Sequence, residues 1–222
     1  MSMERDASFG DRVGMIWKEA WGLLGAAPVD VAVYLLVTII GATLADLFAP
    51  EGGGTLVVSI GSLAAAYALT LKIVRKGVEG GQRGDSGFST YFGISFLSGI
   101  AIALGLLLLI VPGLILWARW LPAYGYGLGE GRGTTEALSD SWEATRGHVG
   151  PIIGSILLPF IIGTGGALAV VFTLEGGGPP MWWSSLIANA LVYTSQAAGI
   201  AIGLAVFSLL VRRDSGLIEV FE

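Results

Sequence analysis

The chain has 222 residues, of which 54% are apolar and only 13% charged, with a net charge of −5. A water-soluble domain carries about 25% charged residues, so this composition excludes an ordinary soluble protein and fits a surface that meets lipid. No cysteine is present and His148 is the single histidine, which excludes disulfides, thiolate chemistry and multi-histidine metal sites.

The 35 glycines agree with membrane helices, where glycine is commoner than in soluble ones. The 12 Lys and Arg are scattered and form no basic stripe, so nucleic acid is not an expected partner. Residues 1–26 mix acids and bases without an apolar core leading to a small-residue cleavage site. The expectation is no cleavable leader, with the first span acting as its own insertion signal.

Residues 9–24 read as an amphipathic helix. Phe9, Val13, Ile16, Trp17, Ala20, Trp21 and Leu24 recur at three- and four-residue steps, opposite Asp11, Arg12, Lys18 and Glu19. Such a helix lies in the membrane interface or packs on protein, and the interface is the favoured expectation. Four apolar runs follow, 29–48, 55–74, 151–174 and 183–211, each reaching the roughly 20 residues that cross a bilayer core.

A fifth run, 94–128, has 35 residues, about 52 Å as one helix, too long for a single crossing. Pro112 and Gly113 stand near its middle, and Val111-Pro112-Gly113 is expected to be a tight turn between spans at 94–110 and 114–128. Charge bias chooses the span number, because Lys and Arg favour cytoplasmic loops. Six spans with both termini inside leave eleven of twelve bases in the cytoplasm, all but Arg119. Five spans would place Arg132, Arg146, Arg212 and Arg213 outside. A re-entrant hairpin at 94–128 gives the same loop placement as six.

Residues 134–146 read as a second surface helix, capped by Thr134 or Thr135 and ended by Gly147. Ala137, Leu138, Trp142 and Thr145 share its apolar face, with Asp140, Glu143 and Arg146 away from it. Sliding residues 19–74 forward by 124 gives 13 identities in 56 positions, with Glu51-Gly52-Gly53-Gly54 falling on Glu175-Gly176-Gly177-Gly178. Surface helix, span, acidic glycine loop and span thus recur in order. This suggests parallel repeat units, 9–74 and 134–211, joined by 75–133 within one membrane domain, 1–222.

Ile110-Val111-Pro112-Gly113, Trp117-Ala118-Arg119-Trp120, Glu136-Ala137-Leu138, Ser141-Trp142 and Thr145-Arg146-Gly147-His148 together carry a resemblance. They are similar to a bacterial family of multi-span proteins that includes the YciC-like proteins and the membrane domain beside some glycerophosphoryl diester phosphodiesterases. The shared pattern is an Ile-Pro-Gly turn (here Val111-Pro112-Gly113), a basic residue about six positions on (here Arg119), and an Ala-Leu…Ser…Gly surface helix. The likeness covers mainly 94–150. It implies a multi-span topology and a bacterial inner-membrane address rather than a reaction, and the chain leaves no room for the phosphodiesterase catalytic domain.

Arg119 is the one base inside an expected span, at a cost of roughly 2.5–3.5 kcal/mol if mid-bilayer. Counted from Gly113 it sits in the outer half. There it either snorkels beside Trp117 and Trp120, contacts an anion or lipid phosphate, or pairs with Asp46 or with carbonyls freed by Pro112. Asp30 fronts the first span near the cytoplasmic face. Asn189, Thr194, Ser195 and Gln196 make the last span the most polar, for helix-to-helix hydrogen bonds or a solute-lined cavity. Gly199 and Gly203 form a small-xxx-small step for close packing. The alternating glycines 125, 127, 129, 131 and 133 lack the strand and Lys-Ser/Thr of a phosphate loop and read as a flexible span end. His148 reads as a headgroup contact.

The expected class is therefore an all-α polytopic bundle with the lipid bilayer as partner, a homo-oligomer or membrane-protein partner as a further expectation, and no cofactor. Two functions stand. A non-enzymatic scaffold, accessory or envelope-homeostasis protein is expected to be a closed bundle. A small-solute or lipid transporter is expected to hold a polar cavity between its halves at mid-membrane. A lipid enzyme lacks a nucleophile–base pair and clustered carboxylates.

Overall fold

The computed structural model describes residues 7–49, 53–78, 87–175 and 181–221, with 53, 55, 174–175 and 212–221 as backbone only. Loop residues 50–52 and 176–180, together with Arg5 and Arg83, lie outside the described residues, as do the side chains of Arg212 and Arg213.

Every described element is helical. Ser8 starts α1 (Phe9–Ala26) by accepting from the Asp11 N–H at 3.2 Å. Ala27 breaks the chain, and Pro28 begins α2 (Pro28–Phe48) at a position whose missing N–H costs nothing. α3 (Gly53–Gly77) ends on Arg75 and Lys76, cations that suit the carbonyl-rich end of a helix. α4 (Phe88–Leu108) is followed by α5 (Ile110–Trp120), α6 (Ala123–Glu130) and α7 (Thr134–Ala144). Then come α8 (Val149–Phe160), a π turn (Ile161–Gly165), α9 (Gly166–Val170), a second π turn (Val171–Glu175) and α10 (Trp182–Phe221).

Five of these helices are long and apolar enough to cross a membrane: Pro28–Phe48, Leu56–Gly77, Phe88–Leu108, Val149–Thr173 and Trp182–Val211. Their outward faces are apolar over long stretches. Leu36, Val37, Ile40 and Leu44 are exposed on α2, and Leu107 to Val111 at the α4–α5 tip. Contiguous apolar patches of this kind mark surfaces that meet lipid or another protein and not water.

α10 is the central helix, packing on α1, α2, α3, α6 and α8. Residues 201–210 are buried without exception. Its ladder of contacts measures depth. At one end Asn189 reaches Asp46; further along Gln196 meets Tyr34, Gly203 meets Leu121, Phe207 meets Gly125, and Ser208 donates to Glu19 of α1. Lys76 also pairs with Asp30 at the α1 end, tying the start of α2 to the close of α3.

The chain reverses at Leu109, not at Val111-Pro112-Gly113. Leu109 is the one extended residue (φ −157°, ψ 133°) between α4 and α5. Pro112 falls in the first turn of α5, where a backbone N–H has no intrahelical partner and proline is tolerated, and Gly113 makes the first helical hydrogen bond, to the Leu109 carbonyl at 3.4 Å. Gly113 serves close approach instead of a turn: a Cβ there would sit 2.6 Å from the Leu106 nitrogen. α5 and α6 then run back along α4. Gly105 lies against Gly113, Ser95 against Tyr124, and Gly127 against Thr90 and Ile94.

The alternating glycines are likewise not a flexible end. Residues 123–129 form the buried helix α6, save half-buried Tyr124. Gly125 and Gly129 share a face against Phe207, while Gly127 faces α4. Gly131 closes the helix with φ 74°. A glycine at alternate positions strips side chains from two faces at once, so α6 can lie between α4 and α10.

α1 packs on protein, burying Ile16, Ala20 and Leu23 against α10, α8 and α3, while Phe9 and Trp21 stay exposed. α7 buries Ala137 and Ser141, with Thr145 following on the same face, and exposes Glu143 and Arg146. Its start is held by Glu136, which accepts from the Gly133 N–H at 3.2 Å, in place of a threonine cap. The turn after it contains Gly147 at φ 83° and delivers a fully buried His148, which places that histidine inside the protein and away from any headgroup.

The element order of 9–74 recurs in 134–211, but the docking differs: α1 sits on α8 and α10, whereas α7 sits on α4, α5 and α6.

Candidate functional site

Between α3, the α4–α5–α6 hairpin, α8 and α10 lies a cavity of about 410 Å³, within the roughly 300–1,000 Å³ of small-molecule sites. On α10 it runs from Val192 to Leu204, about 18 Å at 1.5 Å per residue. Its polar groups gather at the two ends. Thr164, Ser195 and Gln196 stand at the end away from α1, and Thr70, Tyr91 and Tyr124 towards α1. Between them the wall is Ala66, Ile156, Ile200, Trp117 and Phe160. Trp117 and Phe160 meet edge to face, ring centres 5.2 Å apart. Among the described residues, no acid, base or histidine lines the cavity.

Local sequence explains the opening. Pro159 stands inside α8 and removes a backbone donor. The helix then widens into the π turn Ile161–Gly165, a form that often marks functional sites. Ser195 donates to the Pro159 carbonyl at 2.6 Å. Gly163 lets α8 press against Ser195 at that level. The α1 end is shut by contacts that glycine permits: Gly203 on the Leu121 carbonyl, and Phe207 on Gly125 and Gly129. Gly199, by contrast, has open space at its Cβ position and lines the cavity, so the Gly199/Gly203 step is half packing and half cavity wall.

A second hollow of about 690 Å³ lies between α2 and α3, from Val37 and Gly41 to Val57 and Gly61, with Tyr193 beside it. Its wall is almost wholly apolar and it opens outward.

Of the residues singled out from sequence, Gln196 lines the cavity, where its Oε1 accepts from the Tyr34 hydroxyl at 3.1 Å. Asn189 donates to Asp46 at 2.8 Å and to Thr43 at 3.3 Å, which joins α10 to α2.

Asp46 is therefore not the partner of Arg119. Arg119 lies two residues from Leu121, which meets Gly203, and Asp46 meets Asn189. The 14 residues between those α10 positions correspond to about 21 Å of depth. Arg119 instead donates from Nη1 to the Trp142 carbonyl at 2.8 Å, and its guanidinium sits 4.2 Å over the Trp142 ring. Ser141 donates back to the Arg119 carbonyl. The last carbonyls of a helix carry partial negative charge, so the C-terminal turn of α7 is a fitting acceptor for a cation.

The cavity residues that sequence reasoning missed are Thr70, Tyr91, Tyr124 and Thr164. They lie on four different segments, and no spacing links them.

No family model, curated protein or solved structure matches this chain.

Proposed function

We propose that this chain is a bacterial inner-membrane protein that binds a small solute or lipid within its bundle and passes it across or along the membrane. The observation that carries this reading is the neutral, hydroxyl- and amide-bearing cavity between the helices. It favours transport over a scaffold, which needs no such space. The reading involves no bond-making step, since the wall offers neither acid, base nor histidine.

The topology proposed with it has six crossings and cytoplasmic termini. α5 alone, at 11 residues, reaches about 17 Å of a core about 30 Å thick. The return of α5 and α6 along α4 supports counting the pair as the sixth crossing. The described bases other than Arg119 stand on elements gathered at the α1 end, which supports a cytoplasmic α1. The likeness to YciC-like proteins rests on the sequence motif, three of whose residues, Arg119, Ser141 and Trp142, meet in the fold. The two-halves reading rests on element order. The exposed apolar faces are proposed to meet lipid, or a second copy or another membrane protein.

Cysteine substitution in this cysteine-free chain tests the cavity. A thiol reacts as thiolate, and burial among apolar groups suppresses that form. Ser195→Cys and Thr164→Cys should react with N-ethylmaleimide, a small maleimide that enters both water and lipid, while Ser155→Cys, fully buried in α8, should not. Unreactive cysteines at both cavity positions would return the protein to the scaffold reading.

A further inference from the structure

We infer that the cavity takes an uncharged amphiphile, its hydrogen-bond-accepting head at Gln196 and its apolar tail pointing towards Leu121 and Leu204, entering sideways from the lipid past Phe160 and Thr164. This rests on the reading of the cavity as a ligand site.

Charge is excluded first. An ion moved into this space would meet no counter-charge, and an unpaired buried charge is far costlier than a neutral polar group. Two charged groups on helices that line the space or pack beside it point to other partners: Arg119 Nη1 to the Trp142 carbonyl and Asp46 to Asn189.

The polarity of the head follows from which groups the protein has already used. Tyr34, buried between α2 and α10, donates to the Gln196 carbonyl and so orients the amide. What remains of that amide is its two N–H donors. Ser195 beside it has committed its proton to the Pro159 carbonyl. This end of the cavity therefore offers donors to an ester, ether or hydroxyl oxygen. A pure hydrocarbon would leave the Gln196 donors stranded.

The opposite end is different. Thr70 donates to the Ala66 carbonyl at 2.7 Å, and the Tyr124 hydroxyl pairs with Ser95 at 3.2 Å. Those hydroxyls are satisfied within the wall, so an alkyl or isoprenoid tail can lie over them without cost in lost hydrogen bonds. Trp117, Phe160, Ile156 and Ile200 sheathe the middle. The route is lateral because the α1 end is sealed by the buried run 201–210, whereas Phe160 and Thr164 are exposed on the outer face of α8 and its π turn.

The test uses the full chain in phosphatidylcholine vesicles, with Trp117 as the reporter and the other six tryptophans replaced by phenylalanine. The probes are the glycerol monoester of dibrominated stearic acid and the free dibrominated stearate at alkaline pH, since bromine quenches tryptophan on contact. Saturable quenching by the monoester is expected, with a half-saturating mole fraction at least about tenfold below that of the carboxylate. Gln196→Leu should weaken the monoester about fivefold, the loss of one neutral hydrogen bond, and Tyr34→Phe should weaken it in the same direction. Unsaturable quenching, equal for both probes, would show Trp117 meeting bulk lipid and would overturn the inference. The unsubstituted chain guards against a misfolded reporter. Exchanged against an equal mixture of the two probes, it should retain the monoester by mass spectrometry, and equal or reversed retention overturns the inference. A reactive cysteine at 195 with no saturable quenching sinks the ligand class and leaves the cavity reading. An unreactive cysteine at 195 and at 164 sinks both.

Discussion

Arg119 illustrates how a single residue can be legible while its partner is not. Its rarity within an apolar run marked it at once. The sequence places its depth by counting from Gly113, but the reversal at Leu109 puts it ten residues along the returning helical arm of the hairpin, about 15 Å from the tip. There the end of α7 reaches it, because Gly93 and Gly127 let α4, α6 and α7 approach closely. The guanidinium then satisfies a helix-end carbonyl and stacks on an indole. Arg119→Leu should lower stability in detergent by about 1.5–3 kcal/mol, the range for a charged hydrogen bond. Arg119→Lys should recover little, since an ammonium lacks the planar stacking surface. In melting experiments Arg119→Leu and Trp142→Leu should couple by about 0.5–2 kcal/mol. Arg119→Leu and Asp46→Asn should add, and coupling of that second pair would contradict the separation in depth.

At the scale of elements, the apolar runs were read within a few residues of the helices that form: 29–48 became α2 and 183–211 the apolar part of α10. The local period and length of such runs carry that information directly. Glycine use was less legible, because sequence shows where a side chain is missing but not which neighbour fills the space. Pro112-Gly113 suggested a turn and gave a tight helix contact; glycines 125, 127 and 129 suggested looseness and gave close packing against α10 and α4. The π turns after Pro159 have no simple sequence signal, since they depend on how α8 is pressed against Ser195. Two substitutions separate these roles. Gly125→Ala inserts a methyl into the Phe207 ring and should cost about 1–3 kcal/mol. Gly99→Ala meets nothing within 4 Å and should be neutral or stabilising by up to about 1 kcal/mol, as expected for alanine over glycine in a helix. Equal effects in thermal unfolding would mean that α6 and α10 are not in contact at that level. Gly113→Val should likewise loosen the hairpin, read as earlier melting and faster proteolysis near Leu109.

For the whole molecule, the membrane character followed from composition, because a charge content of 13% cannot cover a soluble surface, and the all-helical class followed from the length of the apolar runs. The arrangement of helices around α10, and the cavity it leaves, could not be read, since both depend on contacts between residues more than 100 positions apart, such as Tyr34 with Gln196. Topology remains open to a direct measurement. Single cysteines at positions 53, 87, 133 and 177 should be labelled from outside the cell only at 53 and 177. Outside labelling at 87 or 133 would reverse or reduce the number of crossings.

The centrality of α10 bears on how the protein is made. During synthesis the candidate spans before α10 are made before the helix on which α1, α2, α3, α6 and α8 all pack exists. Until it arrives, Tyr34, Thr43 and Asp46 of α2 and the glycine face of α6 have no partner. The early helices must therefore wait in the bilayer as a loose group, held by the α2–α3 and α4–α5 hairpins, and final closure is a late event that follows insertion. A chain released before α10 would leave polar groups unmatched in lipid, which is the condition that membrane quality control is placed to recognise.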